Sequence, residues 1–151
     1  MQETTGTDNY PAVQFRIARP TARIDEVIEF YTKGLGLQVI YSFEGHGGYR
    51  GVMIGLPGLQ YHLEFTQDNK HTECNAPTKD NLLVLYFDAP EKLNPVRSSL
   101  EKLGYEPVTP ENPYWEDRSW TYEDPEGWRV VLYNGVFLPT GHQLAKTEFS
   151  K

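Results

Sequence analysis

One order of elements occurs twice in this 151-residue chain, and that repetition limits what it can fold into more than any other feature. A strand, a helix and three further strands can bury one face of each sheet beneath its helix. Two such units therefore imply mixed sheets with helices on one side and a concave face on the other. In the first unit, Val13 to Ala18 alternates apolar and polar residues, the pattern of a half-buried strand, with Val13, Phe15 and Ile17 expected to face a core. Arg19-Pro20-Thr21 ends it, since proline cannot donate to a ladder. Ile24, Val27, Ile28 and Tyr31 recur at helical spacing, with Thr21 as a candidate cap and Gly34 and Gly36 as the stop. Strands are expected at Gln38 to Phe43, Tyr49 to Leu56 and Gln60 to Thr66, joined by glycine-rich and Pro57-Gly58 turns.

The second unit opens with a strand at Leu82 to Phe87 and a helix from Pro90 to Leu103, closed by Gly104. Pro95 leaves two helix starts open, at Pro90 or at Pro95 itself with Asn94 as cap. Tyr105 to Val108 reads as a short strand. Ser119 to Tyr122 and Trp128 to Tyr133 form a hairpin around Asp124-Pro125-Glu126-Gly127. The expected organisation is one α+β domain over residues 1–151, built from a module at about 13–66 and a module at about 82–134. A polar connection covers 67–81, with tails at 1–10 and 138–151.

Composition excludes several classes. Cys74 is the only cysteine, so neither an intrachain disulfide nor a thiolate zinc cluster can form. The 21 acidic residues outnumber 14 basic ones, for a net charge of −7, and no basic run offers a nucleic-acid footprint. The charge permits a cationic ligand, or it serves solubility alone. No apolar stretch approaches the ~20 residues that cross a bilayer, and Met1 to Asn9 lacks a secretory pattern, so the expected location is the cytoplasm with no membrane partner.

Two segments carry a family resemblance. Glu29-Phe30-Tyr31-Thr32-Lys33-Gly34-Leu35-Gly36-Leu37 resembles the helix ending of vicinal oxygen chelate proteins, and Asp124-Pro125-Glu126-Gly127 resembles their last hairpin. The resemblance spans roughly residues 13 to 134. It implies the fold of glyoxalases, bleomycin-resistance proteins and extradiol dioxygenases, with two βαβββ modules curling around a cavity, and commonly a homodimer. It also implies a metal bound at four strand positions, which here hold Arg16, Glu64, Leu82 and Val131. A guanidinium has no lone pair for a cation, and Leu and Val coordinate nothing. Arg16 is instead expected to pair with Glu64 where the metal would sit.

The candidate site residues follow. His62 and Glu64 lie two apart on a strand and so share a face; they can act as base and orienting carboxylate, or pack and pair. With His46, in the glycine-rich turn beside Tyr49, they form an alternative ligand set for nickel, zinc, manganese or iron. Tyr114, Trp115 and Trp120 line the cavity or fill the core, and Arg129, in phase with Val131, adds a positive group. Arg19 and Arg50 read as surface charges; His71 and His142 read as solvated. Two functions are carried forward. One is a small-molecule binder resembling the bleomycin-resistance branch, with no cofactor. The alternative is a lyase, isomerase or dioxygenase of the same superfamily using Glu64 with His62, either metal-dependent or by acid–base chemistry.

Overall fold

Among the described residues, seven strands and two helices make two sheets that share one core. The computed structural model describes residues 10–56 and 58–138. The first half runs β1 (Phe15–Pro20), α1 (Ile24–Glu29) continuing into a single π-helical turn (Phe30–Gly34), then β2 (Gln38–His46), β3 (Tyr49–Gly55) and β4 (Tyr61–Gln67). The second runs β5 (Leu82–Phe87), α2 (Pro90–Lys102), a 3-10 turn (Pro113–Glu116), β6 (Ser119–Glu123) and β7 (Arg129–Asn134). The first sheet is ordered β1-β4-β3-β2 and the second β5-β7-β6. In each, the opening strand pairs parallel to the closing one, β1 with β4 and β5 with β7, and the remaining pairs are antiparallel. This is the α+β pattern of two βαβββ-like modules that the repeat implies. No helix among the described residues is long and apolar enough to cross a membrane.

The helices lie between the sheets and join them. Val27, Phe30 and Tyr31 from the first helix pack with Leu93 and Leu100 of α2, with Val52, Ile54 and Phe65 of the first sheet, and with Tyr122, Val130 and Leu132 of the second. Phe30 is fully buried and meets both Tyr31 and Tyr105 edge-on, at centroid distances of 4.9 and 4.8 Å. Gly34 lets the two helices approach. A Cβ there would come within 2.7 Å of Leu100 Cδ2.

Some expectations change, and the start of the second helix is settled. Val13, Phe15 and Ile17 are exposed, Phe15 at 62 % and Ile17 at 57 %, with β1 at the edge of the first sheet and Val13 before it. β1 ends at Pro20, within Arg19-Pro20-Thr21 as expected, though Arg19 and Pro20 still pair in it; an edge strand has no ladder on its outer side to lose. The helix of the second half starts at Pro90, where a missing N–H costs nothing, and it runs through Pro95. The third strand of that half shrinks to one bridge, Val108 with Thr121, because Pro107, Pro110 and Pro113 deny the segment donors. Thr21 does not cap α1 in the usual place: Arg23 holds that position, and the Thr21 hydroxyl accepts from Arg23 N. His142 lies outside the described residues.

The candidate site on the first sheet

Parallel pairing of β1 with β4 sets Arg16 opposite His62 and Ala18 opposite Glu64. Side chains two apart share a face, so Arg16, His62 and Glu64 rise together on the side away from the helices. Arg16 Nε donates to His62 Nε2 at 3.0 Å, and Arg16 Nη1 lies 3.5 Å from Glu64 Oε2. His62 Nε2 is the acceptor in this contact, so its lone pair is turned toward Arg16.

The neighbouring strands extend this face. Met53 stands opposite Glu64 and Tyr41 opposite Met53, while Gly55 stands opposite His62. The glycines make a flat floor. A Cβ at Gly51 would meet the Phe43 ring at 2.4 Å, and one at Gly55 would meet Ile40 Cδ1 at 3.0 Å. Phe43 and Ile40 therefore lie down on the sheet, and the face carries a polar row beside an apolar wall. Sequence reading missed that wall; the signal was the glycine at every place where a large neighbour leans across.

His46 and Tyr49 do not join this group. They pair with each other at the far end of β2 and β3, whereas Gly55 marks the row of His62. Tyr49 and Gly55 are six positions apart, roughly 20 Å along a strand. His46 instead packs edge-on against Phe43, and Tyr49 against His71. His71 is not simply solvated: its Nδ1 accepts from Asp68 N.

The second half arranges its candidates differently. Trp120 faces the helix side, where the Arg97 guanidinium lies 4.3 Å from its ring, because its neighbours Ser119 and Thr121 take the other face. Trp115 packs against Tyr133 with Tyr114 beside it, and Ser119 Oγ donates to the Trp115 carbonyl. Arg129 is buried, bound to Glu123 and to the Thr109 carbonyl. The segment 107–118 thus covers the face of the second sheet on which Val131 lies, and Val131 is fully buried. The candidates form two groups rather than one.

This arrangement bears on the superfamily's metal. Leu82 and Val131 offer no donor, Arg16 is a cation, and Arg16 occupies the lone pair of His62 Nε2. Among the described residues no three His, Cys, Asp or Glu side chains come together as a ligand set. The residues present do not fit that metal.

Between the halves, a cavity of ≈ 250 Å³ is lined by Ile17, Arg19, Leu63, Phe65, Leu82 and Trp128, among others. Arg19, expected at the surface, is the anchor of its wall. It binds Asp124 Oδ2 at 2.5 Å and Glu126 Oε1 at 3.0 Å, with its guanidinium 4.8 Å from both the Phe65 and Trp128 rings. Glu126 also accepts from Thr21 Oγ1 and Ala22 N. Asp124 also accepts from the Tyr31 hydroxyl and from the backbone of Glu126 and Trp128. The resemblance segments, Phe30-Tyr31 and Asp124 to Gly127, meet here. Their pairing is structural: it staples the last hairpin to the first helix.

Burial pushes the Asp124 carboxyl up, outweighing the pull of the Arg19 guanidinium and of its other donors. Burial and the Asp124 charge also raise the Tyr31 phenol far above its ordinary value. The unfolded phenol ionises near ~10. The stability due to a neutral, buried Tyr31 is thus complete below pH ~10 and is lost as pH climbs above it. Tyr31→Phe is expected to cost about 1.5–3 kcal/mol at neutral pH, for a bond to a charged acceptor. It should also flatten the decline above pH ~10. Urea melts of both proteins at neutral and alkaline pH check this, and parallel declines would disprove it.

Comparison with known proteins agrees with these features. Residues 15–66 match the family model of the YycE-like N-terminal domain, and residues 80–134 that of the YycE-like C-terminal domain. The chain is 48 % identical over 126 residues to the uncharacterised protein YycE of Bacillus subtilis, covering 83 % of this chain and 91 % of that one. The crystal structure of a YycE protein from Bacillus subtilis, of unknown function, superposes with a TM-score of 0.78 at 47 % identity over 83 % of this chain and 92 % of that chain. The fosfomycin-resistance protein FosX of Mesorhizobium loti shares the fold at 13 % identity, with a TM-score of 0.63 over 84 % of this chain and 93 % of its own. With both halves matched in order and the fold shared, this chain belongs to the YycE-like family of the vicinal oxygen chelate superfamily.

Proposed function

We propose that the chain binds a small molecule on the open face of its first sheet, without the divalent metal that the superfamily resemblance implies. One observation carries this reading: the Arg16 guanidinium sits between His62 and Glu64, bonded to one and 3.5 Å from the other. It supplies the positive charge that a metal would bring. The alternative of catalysis by His62 as base finds less support, since its Nε2 lone pair faces Arg16.

The homodimer expected from the resemblance belongs to the same reading. Ile40 and Tyr41 of β2 are 54 and 61 % exposed on the open face, where Tyr41 stands opposite Met53. A second copy covering this side would close the open face. Exposed apolar groups in a contiguous patch favour such an interface.

The test is elemental analysis of protein purified without a histidine tag and dialysed against a mild chelator, together with its melting temperature. Metal well below one equivalent and an unchanged melting temperature are expected. Near-stoichiometric nickel, zinc, manganese or iron would overturn the proposal. Glu64→Gln is expected to change both stability and ligand binding; if both stayed as they were, the Arg16–Glu64 pairing would have no role.

A further inference from the structure

The same polar row carries information about what it recognises. Arg16 spends its Nε–H on His62, but its Nη1 is 3.5 Å from Glu64, too far for a good hydrogen bond. Its guanidinium fork is therefore unspent, on a side chain 45 % exposed. Glu64 is the reverse case. Its side chain is only 14 % exposed, and among the described residues its carboxylate is met by Arg16 alone. A carboxylate so placed is an acceptor waiting for a donor.

The two charges set the charge of the ligand. An anion drawn to Arg16 must also face Glu64 3.5 Å away, and a cation drawn to Glu64 must face Arg16. At such separations attraction and repulsion nearly cancel, while the ionic ligand still loses its own hydration. A neutral group loses little hydration and can use both sites at once. It needs an acceptor for the fork and, beside it, an N–H or O–H for the carboxylate, and each contact is then a charge-assisted hydrogen bond. The wall beside the row asks for an apolar body: Ile40 and Phe43 lie flat over Gly55 and Gly51, next to Met53 and Tyr41.

Resting on the reading of this face as a metal-free binding site, we infer that its ligand is a neutral, planar molecule. It presents an adjacent acceptor and donor, as at the edge of an amide, lactam or imide, on an apolar body. Three probes of one shape and different charge test this: 2-naphthamide, 2-naphthoate and 2-naphthamidine, titrated by calorimetry into chelator-treated full-length protein at neutral pH. The amide is expected to bind about tenfold tighter than either ion. Glu64→Gln leaves Arg16 unopposed and should shift preference toward naphthoate by about tenfold. Arg16→Met should shift it the same way toward naphthamidine. Far-UV circular dichroism of each variant shows that it has folded. Tighter binding of either ion by the unaltered protein, an unchanged preference in folded Glu64→Gln, or no binding by any probe overturns the inference. Binding that appears only when zinc or nickel is added overturns the metal-free reading beneath it, which separates the two failures.

Discussion

Arg19→Met is expected to lower folding stability by about 3–5 kcal/mol in urea denaturation, among the largest effects of any single substitution here. The substitution keeps the volume and the apolar stem between Phe65 and Trp128, so little is lost in packing. What it removes is the cation between two carboxylates that water cannot reach: the Asp124 side chain is 0 % exposed and that of Glu126 1 %. Breaking a buried pair from one side leaves its charge uncompensated, and here two charges are left. Asp124 is the one already held above its ordinary range by burial. A second substitution, Asp124→Asn, in the Arg19→Met background is therefore expected to recover part of the loss. The amide oxygen can still take the backbone donors of Glu126 and Trp128, and of the two uncompensated charges only that of Glu126 remains. Arg19→Lys should fall between, since an ammonium cannot span both carboxylates and stack between two rings. A loss below about 1 kcal/mol for Arg19→Met, the range of exposed pairs, would show that the cluster holds nothing together.

That cluster also shows what periodicity can and cannot say. Alternation along β1 correctly groups Phe15, Ile17 and Arg19 on one side, because successive strand residues alternate faces. It does not say what covers that side. The apolar members are exposed while the charged one is mostly covered, its side chain 13 % exposed, since the helix and the last hairpin cover only the end of the strand. The same limit separates Trp120 from Trp115. Both are aromatic and close in sequence, but strand phase sends Trp120 toward α2, while a 3-10 turn carries Trp115 over the opposite face. By contrast Arg16 with Glu64 was legible, because both sit on strands whose parallel pairing follows from the repeat. His46 was not: it lies where β2 turns into β3, and its position depends on how far the hairpin extends beyond Phe43. Hairpin length follows from turn geometry and cross-strand contacts rather than from residue pattern alone.

The two halves read as repeats, yet the helices commit them to one core, and Phe30→Ala exposes that commitment. Its ring has no exposed surface and meets Tyr31 from its own half and Tyr105 from the other. Removing a fully buried phenylalanine costs about 3–5 kcal/mol, from lost transfer energy plus the cavity left behind. The site cannot easily collapse, because Gly34 already brings the helices to contact at Leu100. The readout uses an asymmetry of the sequence: all three tryptophans, Trp115, Trp120 and Trp128, lie in the second half. Their fluorescence therefore reports on one half while the substitution sits in the other. A shared core requires the tryptophan transition to move to lower urea together with the far-UV circular dichroism signal, since a single cooperative unit has one midpoint for every probe. If the dichroism shifted and the tryptophan midpoint stayed, the halves would be independent units. The polar staple of Arg19, Thr21 and Tyr31 to Asp124 and Glu126 would then hold them together, and its loss would separate two folded modules rather than unfold one protein.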